Sequence, residues 1–120
     1  MRFDNMDVLE KWCAEYGVDR TRIDYGFEVI GPDYLGITRY QYDRADRIAA
    51  IRINTILKPY PIAVIAVSWH EFCHADKWIL DGTGDKHGSG WWRRLWRKPF
   101  LALLDLTYTK IVFAYAKVHP

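Results

Sequence analysis

The run Pro61-Ile62-Ala63-Val64-Ile65-Ala66-Val67-Ser68-Trp69-His70-Glu71-Phe72-Cys73-His74 decides how this chain is read. Pro61 suits the first turn of a helix, where its missing N–H leaves no bond unmade. Residues 62–69 are apolar almost all round, so a helix here is a buried one, with Val64, Ile65, Val67 and, further on, Ile79 in the core. The β-branched residues leave a strand from Ile62 to Val67 as the alternative. Asp81-Gly82 supplies a stop, and a turn through Gly84 lets the chain double back.

On such a helix His70 and His74 stand four apart on one face, where both imidazoles can hold one tetrahedral zinc ion. Glu71 follows the first ligand directly. That offset takes its carboxylate off the ion but within reach of a water there, where a general base is wanted. A third ligand is offered by His87, thirteen residues past His74. Three protein ligands leave the fourth position for water, as in catalytic rather than structural zinc. Asp76, Asp81 and Asp85 are rival third ligands. They belong to the same helix and its turn, where solvated surface or capping is the expected role.

The order Leu35-Gly36-Ile37-Thr38-Arg39, Ile51-Arg52-Ile53-Asn54, Leu57, the apolar helix ending in His70-Glu71-Phe72-Cys73-His74-Ala75, Trp78, and His87-Gly88 before Trp91-Trp92 resembles the SprT-like metalloprotease domain. The Spartan proteases of DNA-protein crosslink repair belong to that family. The resemblance covers about the middle half of the chain. It implies a zincin-like α+β fold, one catalytic zinc on His70, His74 and His87, Glu71 as catalytic base, and a protein or peptide substrate, unfolded or associated with DNA. Many members carry a Cys-rich zinc ribbon after the protease domain. No cysteine follows Cys73 here, so functions tied to that ribbon have no counterpart in this sequence.

A chain of 120 residues, half of them apolar, is the size of one domain with one real core, so residues 1–120 are read as a single unit. The net charge of +2 does not by itself argue for nucleic acid. Cys13 and Cys73 form no CxxC pair and read as reduced thiols. Residues 1–5 lack the apolar core of a signal peptide, and a cytoplasmic location is expected.

Along the chain, Asp4 or Asn5 can cap a helix with Met6, Val8, Leu9, Trp12, Cys13 and Tyr16 on one face, ended by Gly17. Ile23 to Ile30 and Leu35 to Tyr42 read as a hairpin around Gly31-Pro32-Asp33-Tyr34. Arg47 to Asn54 reads as a third strand antiparallel to the second. The expected fold is therefore a small antiparallel three-stranded sheet packed on the buried histidine helix, with helices at both ends.

Ser89 can cap a helix through Lys98, in which tryptophans interleave with Arg93, Arg94, Arg97 and Lys98. The plainer reading packs the indoles on the histidine helix and leaves the cations in solvent. The functional reading is a surface for DNA, with Arg93, Arg94, Trp96, Arg97 and Lys98 gripping phosphates and stacking on bases. Phe100 to Ala116, seventeen residues holding Asp105 and Lys110, falls short of the roughly 20 uncharged residues that span a bilayer. It reads as one buried C-terminal helix, with membrane contact left open.

The leading expectation is a zinc endopeptidase whose substrate lies extended along a free edge of the third strand, at Arg52, Ile53 and Asn54. Tyr108, Tyr115 and Arg39 are candidates to stabilise the oxyanion. The alternatives are a non-catalytic, zinc-stabilised module that binds nucleic acid or protein, and a metal-free domain in which the motif is accidental.

Overall fold

The computed structural model describes residues 5–84 and 87–119. Helix α1, Asn5–Tyr16, buries Leu9, Trp12 and Cys13 on its inner face, and Gly17 ends it in a left-handed conformation (φ 71°). The expected cap at Asp4 or Asn5 rests on side chains outside the described set.

Strands β1 (Ile23–Glu28), β2 (Gly36–Asp43) and β3 (Asp46–Asn54) form one sheet of order β1-β3-β2. Two expectations are corrected here. β1 and β2 do not pair as a hairpin, and the sheet is mixed: β3 runs parallel to β1, with Ile23 opposite Ala49, and antiparallel to β2, with Gly36 opposite Ile53. β3 takes the centre because it carries the apolar load, with Ala49, Ala50, Ile51 and Ile53 all buried. The tight hairpin joins β2 to β3 instead, through Arg44 and Ala45 at φ 51° and 71°, the left-handed pair that a two-residue loop demands. The Gly31–Tyr34 turn carries the chain past the end of β3 to the opposite edge. Buried Asn54 pins that crossing, its amide donating to Tyr34 O at 2.9 Å.

Pro61–Asp81 is helical throughout, as α2, and a strand at residues 62–67 does not form. Pro61 occupies the first turn, and Gly82 (φ 75°) closes the helix with its N–H on Trp78 O at 2.9 Å. Ala49, Ile51 and Ile53 of β3 share one apolar core with Val64, Val67 and Phe72 of α2, while Ile65 is only partly buried. On the other flank Trp12 meets Trp69 edge-on at 5.0 Å between centroids. The opposite face of the sheet is polar: Arg52 pairs with Asp24 at 2.7 Å and Arg39 with Glu28 at 2.7 Å.

Helix α3, Ser89–Leu95, is shorter than expected and has Gly88, not Ser89, at its cap. Pro99 ends that segment, since the residue before a proline is driven out of the helical region, and begins α4, Pro99–Leu106. The expected single helix from Phe100 to Ala116 is two, because α5, Tyr108–Val118, follows α4 at a bend of 41°. Thr107 and Thr109 hydroxyls donate to the carbonyls of Leu103 (2.6 Å) and Asp105 (2.7 Å), the back-bonding that bends helices. Among the described residues no single helix is long and apolar enough to cross a membrane. The architecture is α+β, five helices and a three-stranded mixed sheet among the described residues, with a radius of gyration of 13.8 Å.

Candidate metal centre

α2 delivers His70 and His74 one turn apart, and the chain beyond Gly82 returns to present His87. One ligand atom from each ring lies within 4.8 Å of the others. The Nε2 atoms of His70 and His87 are 3.1 Å apart, and a tetrahedral ion bound at about 2.0–2.1 Å sets its ligands roughly 3.3 Å apart. Three imidazoles in that arrangement fit a divalent transition metal; the donor set suits zinc, copper, iron or nickel alike.

The indole of Trp91, buried in α3, underlies all three rings, with centroids 4.7 Å from His70, 5.3 Å from His74 and 4.2 Å from His87. Its Nε1–H donates to His70 O at 3.2 Å. One side chain thus ties α3 to the backbone of His70 and gives the His87 ring a surface to lie on.

Two partners of the site had not been anticipated. Asp105 of α4 sits with Oδ2 2.8 Å from His70 Nδ1. An imidazole that donates from Nδ1 offers the lone pair of Nε2 to a cation, the carboxylate-histidine-metal relay of many metal sites. Burial works to lower the His70 pKa, but the Asp105 hydrogen bond and the charges of Glu71 and Asp105 outweigh it and hold it above the usual value. A single carboxylate inside the apolar run 99–106 was the sequence signal for a buried polar role. Thr38 of β2 is the other, donating from Oγ1 to Glu71 Oε1 at 2.9 Å. It lies in the stretch 35–39, where the sequence assigns it no role beside Glu71.

Glu71 is 6% exposed, and burial pushes its pKa up. Its Oε2 lies 3.8 Å from His70 Nε2. His70, Glu71 and His87 open onto one cleft of about 470 Å³, walled by Leu35 and Gly36 at the start of β2 and by Leu106, Thr109 and Lys110 of α4 and α5. Gly36 is required there: a β-carbon on it would stand 2.9 Å from Val67 Cγ1 and 3.2 Å from Glu71 Cγ.

The remaining expected site residues lie elsewhere. Arg52, Ile53 and Asn54 form no free edge, because β3 is hydrogen-bonded on both sides; Ile53 and Asn54 are buried and Arg52 is paired to Asp24. Tyr108, Tyr115 and Arg39 are not on the cleft: Tyr108 lines an apolar groove with Ile62 and Phe100, Tyr115 meets Tyr60 and His119, and Arg39 holds Glu28. Asp76 is no ligand and no surface residue. It is wholly buried, with Oδ2 accepting from Arg97 Nη2 at 2.6 Å and 3.3 Å from Arg94 Nε, while Arg94 also holds Asp81 at 2.8 Å. Asp85 is outside the described residues. Of the proposed phosphate-gripping cations, then, Arg94 and Arg97 are bound to carboxylates, and Lys98 pairs with Glu15 at 2.7 Å. Arg93 and Trp96 are exposed.

No protein-family model matches this sequence, and a search of curated proteins gives no match either.

Proposed function

We propose that this protein is a zinc-dependent endopeptidase of the SprT-like kind, with a zincin-like site. The observation that carries the reading is the convergence of three imidazoles beside a buried carboxylate that opens onto the same cleft. A carboxylate buried at the cleft beside the histidines is placed for general-base chemistry.

His70, His74 and His87 would hold the zinc. When bound, zinc supplies Lewis acidity, polarising a peptide carbonyl and bringing the pKa of water down to about 7. Glu71 takes a proton from the attacking water and passes it to the leaving amine nitrogen as the C–N bond breaks. Burial, by raising its pKa, brings this base closer to a neutral working pH. Thr38 fixes which carboxylate oxygen is committed to the protein, leaving Oε2, the atom nearer His70, to work. Lys110, a cation on the cleft wall, is assigned to the carbonyl oxygen as it gains negative charge.

The substrate backbone is assigned to the free edge of β2, which begins at Gly36 on the cleft. Pairing by strand addition reads main chain rather than side chains. Loose specificity follows, suited to unfolded or DNA-associated protein.

The test is Glu71→Gln with zinc present, following cleavage of casein or of the chain itself. Loss of about 10²–10⁴-fold with metal content retained is expected. Undiminished turnover, or a function that persists without the carboxylate, makes the metal a structural staple of a binding module instead.

A further inference from the structure

The outer face of α4 and α5 is apolar where a surface helix is ordinarily polar. Phe100 and Leu103 of α4, Ile111, Tyr115 and Val118 of α5, and Ile62 at the start of α2 are all exposed, Phe100 at 73%, Ile111 at 70% and Val118 at 73%. On α5 the exposed apolar residues recur at 111, 115 and 118, a stripe opposite the core positions Thr109, Val112, Phe113 and Ala116. An apolar groove of about 310 Å³, lined by Ile62, Ile65, Phe100, Leu101, Leu104 and Tyr108, joins Ile62 of α2 to Phe100 of α4 and reaches the first residue of α5. Large exposed patches of this kind mark contact with another apolar body.

The charges around the face say which body. On α4 and α5 together the exposed charges are Lys117, beside the stripe, and Lys110, which lines the metal cleft, while the single carboxylate, Asp105, is buried on His70. Exposed Lys58 lies three residues before the α2 start. A second copy of the chain is a poor fit, because a two-fold contact sets the same patch against itself and these lysines would meet without an acid on the face to pair them. An anionic lipid surface satisfies both features. The apolar stripe enters the headgroup boundary and the lysines meet the phosphates.

Docking in the surface plane is preferred to crossing. Taken together, α4 and α5 have the length and apolar composition of a broken span, but a 41° bend divides them and Ala102, Asp105, Thr109, Val112, Phe113 and Ala116 are buried within the protein, so only the outer side of the pair is left for lipid. We propose that the α4–α5 face, with Ile62, docks this protein in the plane of an anionic membrane surface. Because Leu106, Thr109 and Lys110 of the same two helices wall the metal cleft, docking holds that cleft beside the bilayer. The inference stands independently of peptidase activity.

The experiment is flotation of the metal-loaded chain with phosphatidylcholine vesicles, with and without phosphatidylserine. Binding to the phosphatidylserine vesicles alone, weakened by salt, is expected. Phe100→Ser with Ile111→Ser is expected to weaken it at least about tenfold while circular dichroism and melting stay unchanged, both residues being surface ones. Lys58→Glu with Lys117→Glu is expected to weaken it and to flatten its salt dependence. Absence of binding to phosphatidylserine vesicles overturns the proposal. So does a concentration-dependent dimer in sedimentation that Phe100→Ser with Ile111→Ser abolishes, which gives the face to a second copy.

Discussion

The Thr38 hydroxyl donates to Glu71 Oε1 at 2.9 Å, linking the edge strand β2 to the carboxylate behind the three histidines. The edge strand that reaches the cleft at Gly36 therefore also orients Glu71, the proposed base. Thr38→Val keeps the shape and removes the donor. It is expected to lower kcat about 10–100-fold with little change in KM, and Thr38→Ser to restore most of it. Steady-state kinetics on a peptide substrate reads the split, and an equal rise in KM would mean that Thr38 serves the strand and not the base.

Asp105 is expected to govern metal affinity. Asp105→Asn retains the size but removes the charge that favours donation from His70 Nδ1. Zinc affinity, measured by competition with a chelating indicator, should fall about 10–100-fold, while His74 and His87 stay in place. Unchanged affinity would show that the His70 orientation is fixed by Trp91 alone.

The Asp76 cluster is expected to be structural. Asp76→Ala leaves two partly buried guanidiniums without their carboxylate and should cost about 3 kcal/mol of stability, read by denaturant unfolding. Arg93→Ala should stay within about 0.5 kcal/mol of the parent. Since Arg94, Arg97 and Lys98 are ion-paired within the protein, Arg93→Ala with Trp96→Ala is the clean test of the nucleic-acid surface. Retention of single-stranded DNA is expected to be unchanged, and a salt-dependent fall would restore that role.

Cys13 and Cys73 are buried free thiols, and burial pushes Cys13 from 9.0 up to about 11 and Cys73 higher still. Neither should react with a disulfide reagent at pH 8 unless the protein unfolds, since the thiolate is the nucleophile. A raised thiol pKa contributes stability in full below the unfolded value of 9.0 and loses it as the pH climbs through about 11. Fast native-state labelling would show that the core around α1 and α2 opens.

How much of this was legible depends on the range of the interactions. The three histidines of the candidate metal site were legible as a group because two lie one helical turn apart and the third follows a glycine stop close in sequence. Asp105 was not, because its pairing with His70 closes a loop of 35 residues and the sequence shows only an acid in an apolar run. Gly31-Pro32-Asp33-Tyr34 has true turn chemistry, but a turn does not say which strand the chain pairs with next. That choice went to β3, whose run at residues 48–51 is apolar toward both faces and is best shielded at the centre of the sheet.

The amino-acid order by itself determined the long buried helix, its histidines and glutamate on fixed faces, its glycine stop and the existence of three strands, since each follows from residue periodicity and backbone preference within a few positions. Tertiary structure alone decided the strand order, the burial of Asp76 between two arginines, the Asp105 and Thr38 partners of the site, and the bend that leaves an apolar face uncovered. Those depend on which distant surfaces exclude water together, a competition among all segments at once that local sequence does not record.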